Sequence, residues 1–167
     1  MKHERIIDVF TDGSFHDTNE LKDKTYGAIY IPSFEDSEWQ FFTNNRTYVD
    51  SRNVGGEILA AEFAISLITR LFDAEQVPVH YDVNLYFDYE GVGKWLSGEW
   101  RAKKFLTQKY KEYVTGLLAP RDISLYPHHV RGHAGNGGNE RADKLACEAY
   151  HSERCYDAAS FIEEVLK

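Results

Sequence analysis

Two cysteines in 167 residues, Cys147 and Cys155, exclude a disulfide framework, and their spacing fits no zinc pattern. They read as reduced thiols of a cytoplasmic protein, with Cys147 as a small core residue. No apolar run approaches the roughly 18 residues that cross a bilayer, so no membrane association is expected. The opening MKHERIIDVF carries charges but no long apolar stretch, so no signal peptide is expected. Low-complexity linkers and internal repeats are absent. Basic charge is scarce as well: 19 Lys and Arg stand against 27 Asp and Glu, for a net charge of −8. That balance argues against a broad nucleic-acid-binding surface. Net charge hides its distribution, however. Arg101 to Tyr113 (RAKKFLTQKYKEY) holds five basic residues and one Glu. Acids gathered at a metal site also add to the negative total without repelling one another once a cation is bound.

What the chain does have is ordinary globular composition, 43% hydrophobic and 14% aromatic, enough for one domain over residues 1–167. Its core is expected over about 5–151, with a tail at 152–167 that forms a helix or frays. RIIDVFTDGSF, TYGAIYI and EWQFFTNNRTYV read as three strands joined by short polar connectors, an antiparallel meander. GGEILAAEFAISLITRLF then switches to helical period. VNLYFD has little polarity along it and is expected to be central and covered on both faces. A short and a longer helix follow, then DISLYPHHV, where Pro127 suggests an edge or a bulge. NERADKLACEAYH closes the main body as a helix. The order β-β-β-α-β-α-α-β-α predicts an α/β fold with a five-stranded mixed sheet, three strands antiparallel and then two parallel, flanked by helices.

Four acids fall at strand ends or helix starts. Asp12 ends the first strand, Glu57 opens the long helix, Asp88 ends the fourth strand, and Asp143 lies early in the last main helix. Strand ends and helix starts converge on one edge of such a sheet. Four carboxylates in one cleft repel strongly unless divalent cations join them, and hard oxygen donors suit Mg²⁺ or Mn²⁺. Two such ions about 4 Å apart can hold the water and the leaving oxygen of a phosphodiester displacement. Each residue also has a plainer reading. Asp12 in TDGS serves a turn, Glu57 complements a helix dipole, Asp88 caps a helix, and Asp143 is a solvated acid. Their combination, in order and on these elements, favours the site.

FTDGS around Asp12, GGEILAAEFAI around Glu57, LYFDYEGV around Asp88 and VRGHAGNGGNERADKLA around His133 and Asp143 resemble ribonuclease H of the bacterial type 1 class, from Ile6 to about His151. The last segment is the most specific. The resemblance implies an RNase H-like fold and an endonuclease that cleaves the RNA strand of RNA·DNA hybrids, leaving 5′-phosphate and 3′-hydroxyl ends. It implies two ions, Mg²⁺ or Mn²⁺. Asp12 would bridge them, Glu57 and Asp88 would serve the leaving-group side, and Asp143 the water side. His133 would assist proton transfer or product release from a mobile loop, since imidazole titrates near neutrality. The 2′-hydroxyl would be sensed by Gly13, Ser14 and Asn53, with Asn139 fixing the loop. Arg101, Lys103, Lys104 or Lys109 would meet DNA phosphates.

The pattern departs from the family in places. Tyr89 and Glu90 stand where many bacterial members carry Ser-Gln, and the basic segment is shorter than the family's protrusion. Trp95 and Trp100 are expected to pack rather than bind. The chain opens almost at its first strand, so no N-terminal hybrid-binding domain is expected, and a monomer is the default. Two competing readings stay open at this point: a catalytically weak nucleic-acid-binding module of the same fold, or another nuclease on the same kind of sheet.

Overall fold

The computed structural model describes residues 1–131 and 137–167. Its first strand, β1 (His3–Ser14), alternates: Ile7, Val9 and Thr11 are buried on one face, while Asp8, Phe10 and Asp12 take the other. β2 (Thr25–Ile31) and β3 (Ser37–Thr43) run antiparallel to β1 and to each other. β4 (Val79–Phe87) runs parallel to β1, pairing Val9 with Leu85, and β5 (Ile123–His129) runs parallel to β4. The sheet order is β5-β4-β1-β2-β3-β6, where β6 (Cys155–Asp157) pairs parallel with β3.

Six strands therefore replace the five expected. The sixth comes from the tail, whose three residues are too few to show a period-two pattern. A second correction concerns NNRTYV, which does not extend the third strand. β3 ends at Thr43, and α1 (Arg46–Val49) follows, capped by the Asn45 side chain accepting from the Thr47 amide at 2.9 Å.

The long helix α2 (Arg52–Asp73) lies on the β1–β2 face with Ile58, Ala61, Ile65 and Ile68 fully or almost fully buried. α3 (Gly91–Ser97) and α4 (Phe105–Leu118) complete that layer. α5 (Gly137–Glu148) covers β1 and β2 from the opposite side. β4 does not have both faces covered as expected. Its odd-numbered residues, Val79 to Phe87, are buried, but His80, Asp82, Asn84 and Tyr86 are only half-buried. The helix over that side, α5, stops short of them. β5 is an edge strand, as Pro127 suggested.

After α5 and a 3₁₀ turn (Ala149–His151), the chain rounds the β3 edge through β6 and returns to the α2 layer as α6 (Ala158–Glu164). There Phe161 is fully buried. Its ring stacks on Phe63 at 4.7 Å and tilts against Phe41 at 4.9 Å. Cys147 is exposed, not a core residue. Its Sγ lies 3.9 Å from Asp143 Oδ1, while α5 buries Asn139, Ala142, Leu145 and Ala146.

Candidate active site

The carboxylates meet where β1, β4 and α2 converge. Oxygen atoms of Asp12, Glu57 and Asp88 all lie within 4.8 Å of one another. Backbone shape brings them there. Gly13 sits against the first turns of α2, and a Cβ on it would stand 2.2 Å from the Glu57 nitrogen. Gly56 does the same from the helix side, where a Cβ would stand 2.2 Å from the Tyr26 carbonyl oxygen. No side chain fits at either contact, so the head of α2 lies on the sheet and Glu57 reaches Asp12. α2 begins at Arg52, earlier than the Gly pair suggested, so Glu57 is in its second turn rather than at its opening. Asp88 follows β4 directly. It does not cap the next helix, because α3 starts at Gly91 with Glu90 at its N-cap. The His129 ring holds the Asp88 carbonyl at 2.9 Å, and the Val130 amide bonds Phe87 beside it.

Asp12 and Glu57 are each 2% exposed. Burial above all lifts Asp12 from 3.8 to about 7, with Asp88 and Asp143 adding to the rise, while contacts to Glu57 and the Gly13 amide oppose it. Glu57 is pushed well above its ordinary range by burial and by Asp12 and Asp88. The two carboxyls thus compete for one proton. Glu57 Oε2 is buried and, among the described residues, has no hydrogen-bond partner. Clustered hard oxygens, an orphaned carboxylate oxygen and raised proton affinity are what a divalent cation relieves. The residues present fit such an ion. Asp143, on α5, also interacts with Asp12 but stands outside the tight trio.

The other expected residues fall into several groups. Asn53 is exposed on the first turn of α2, ahead of Glu57. Gly13 donates its amide to Asp12 Oδ1 at 2.8 Å, so the group expected to sense substrate is already bonded to a metal-ligand candidate. Ser14 is buried, with its hydroxyl 3.5 Å from the His16 ring. Asn139 is buried inside α5, which starts two residues before it rather than at it. His133 lies in 132–136, outside the described residues, whereas Gly137 and Gly138, expected in the same mobile loop, form the first residues of α5.

Arg101, Lys103 and Lys104 line a cavity of about 430 Å³ together with Arg52, Tyr89 and Trp95. Tyr89 follows Asp88 in sequence, so the cavity adjoins the acids. Trp95 and Trp100 do pack, as expected, forming an aromatic cluster with Tyr89 at centroid distances of 5.7 to 6.3 Å. Lys109 belongs elsewhere. Its ammonium is bound by the Tyr48 hydroxyl at 2.6 Å and by the buried Glu62 at 3.2 Å.

Sequence reasoning missed Arg52. It adopts a left-handed conformation with φ 55° at the head of α2, which costs an L side chain about 1 kcal/mol or more. Its carbonyl accepts from Thr25 Oγ1 at 2.8 Å and its guanidinium pairs with Asp17 at 2.9 Å. A Gly or Asn there would have signalled the turn; an Arg carries no such signal.

The mixed sheet gathers three acids at the ends of two parallel strands and in the second turn of a helix, a fold and donor set that suit a divalent cation. The RNase H family model matches residues 4–151, and the chain belongs to that family. Ribonuclease H of Rhizobium johnstonii is 31% identical over 168 residues, covering 96% of this chain and all of the relative. Ribonuclease H of Methylobacillus flagellatus is 32% identical over 102 residues, 55% of this chain and 67% of the relative. Among solved structures, RNase H1 of the archaeon Halobacterium salinarum superposes with a TM-score of 0.65 at 21% identity, covering 87% of this chain and 98% of the other. LC11-RNase H1, solved in complex with RNA/DNA hybrid, superposes at 0.67 with 17% identity, covering 85% and 94%.

Proposed function

We propose that this protein is an endonuclease that hydrolyses the RNA strand of RNA·DNA hybrids, leaving 5′-phosphate and 3′-hydroxyl ends. The observation that carries the reading is the Asp12–Glu57–Asp88 cluster, with its three carboxylates within 4.8 Å and an orphaned buried oxygen on Glu57. Two Mg²⁺ or Mn²⁺ ions bound there would supply activation of the attacking water and stabilisation of the leaving oxygen. Asp12 would hold both ions, Glu57 and Asp88 the one on the leaving-oxygen side, and Asp143 the one on the water side. His133 would move a proton, a role assigned on the GHAG motif and family membership.

Substrate choice follows from what flanks the acids. Asn53, on the exposed first turn of α2, is the side chain best placed to meet a ribose 2′-hydroxyl. The cavity of Arg101, Lys103 and Lys104 would hold phosphates of the DNA strand, with Tyr89 and Trp95 as its apolar wall. Tyr89 and Glu90 stand where many bacterial members place Ser and Gln, and Glu90 would accept hydrogen bonds there but cannot donate them as the Gln amide does.

Cleavage of a labelled RNA·DNA hybrid, run beside the matching single-stranded RNA, duplex RNA and duplex DNA with and without Mg²⁺, tests the reading. Cutting confined to the RNA strand of the hybrid and dependent on the cation is expected. A hybrid left intact with both Mg²⁺ and Mn²⁺ refutes it.

A further inference from the structure

The fourth acid is held differently from the other three. Asp12, Glu57 and Asp88 come from elements rooted in the main core, whereas Asp143 rides on α5, whose buried face is Asn139, two alanines and Leu145. Leu145 and Ala146 pack on Ala28 and Tyr30 in a cluster apart from the main core, and Gly138 lies against the Phe10 ring of β1. A face of one leucine and two alanines offers little apolar surface to fix a helix's orientation. Polar ties from β3 add to it. Glu38 takes the Arg141 guanidinium in a two-point contact at 2.8 and 2.7 Å. Gln40, 8% exposed, spans two elements with one amide. Its Nε2 donates to the Leu145 carbonyl at 2.8 Å, two residues beyond Asp143, and its Oε1 accepts from Ser152 Oγ at 2.6 Å. Its backbone pairs with Cys155 of β6. Ser152 and Cys155 lie past residue 151, where the family match ends.

We propose that Gln40 is a positioning residue: braced by Ser152, it sets how far Asp143 reaches toward Asp12, and so tunes cation binding on the Asp143 side. The inference rests on the reading that Asp143 holds a cation. A planar amide with both ends hydrogen-bonded has one length and one orientation, which suits it to fix a helix that apolar packing leaves loose.

Calorimetric titration of Mn²⁺ into the full chain tests this without reference to cleavage. The event lost in Asp143→Asn should weaken about tenfold in Gln40→Met, the lower end of what removing an outer support costs a metal site. The other event should stay within about twofold. Gln40→Glu keeps the acceptor but loses the donor, and should behave like Gln40→Met. Ser152→Ala, the gentler change, should weaken the same event by about threefold. In an Asp143→Asn background, Gln40→Met should add nothing. Equal weakening of both events, or a lowered Tm with both affinities unchanged, reduces Gln40 to a structural residue and overturns the inference. Should Gln40→Met not fold, an unchanged titration in Ser152→Ala overturns it. If Asp143→Asn itself leaves both events intact, the assignment of Asp143 fails, and this inference with it. The two failures are therefore distinguishable.

Discussion

Asp12 binds a proton up to about pH 7 in the folded chain, against 3.8 as an ordinary aspartate, chiefly because it is buried. Between those values the folded state holds a proton that the unfolded chain has released. The resulting contribution to stability is complete below the ordinary value and is lost as pH rises through about 7. Stability of the cation-free protein should therefore fall from mildly acidic to mildly alkaline pH, by on the order of 3 kcal/mol. Denaturant unfolding in chelator at stepped pH measures this. Asp12→Asn should flatten the slope and abolish cleavage while leaving the circular dichroism spectrum unchanged. A variant that still cuts at near-normal rate removes Asp12 from its role. Gly13→Ala is the harsher change. Its methyl would meet the Glu57 nitrogen at 2.2 Å, so α2 must shift, and both Tm and cation affinity should drop.

Among the elements, α6 and the basic segment make opposite demands. Phe161→Ala removes a ring buried between Phe41 and Phe63 and should cost about 3–5 kcal/mol, read as a lowered denaturation midpoint with the sheet retained. Lys103→Ala with Lys104→Ala should leave stability alone and raise KM for hybrid. It should also reduce the salt slope of binding by about one for each phosphate no longer neutralised. An unchanged slope takes the cavity out of substrate binding. These elements also show what was legible in advance. That Asp12, Glu57 and Asp88 come together was readable, because they sit at strand ends or early in a helix of one sheet. That β4 and β5 run parallel after an antiparallel meander followed from the strand–helix alternation. β6 was not readable, since CYD gains its strand character only by lying against β3. Nor was the one-sided cover of β4, because Tyr86 and Asn84 look no different in sequence whether or not a helix overlies them. In the structure Tyr86 is stacked between Phe10 and His128 at 4.6 and 4.8 Å, and Asn84 binds Asp8 and His128. Lys109 was hidden for a related reason. Its partner Glu62 is far away in sequence, on another helix.

At the scale of the whole molecule, the net charge of −8 opposes a polyanionic substrate until cations are bound. Removing divalent ions should weaken hybrid binding as well as stop cleavage, and adding monovalent salt should weaken it further. Anisotropy titrations in EDTA and in Ca²⁺ separate the two effects. Among the described residues, no helix is long and apolar enough to cross a membrane.

The wrap of the C-terminal segment around the β3 edge has a consequence in time rather than in space. Synthesis runs from the N-terminus, and the residues of the three-acid cluster are all made by residue 88. Asp143 comes late, and Ser152 and β6, which hold its helix through Gln40, come later still. A chain stalled or cut just short of Ser152 carries every acid yet lacks the brace on the last of them.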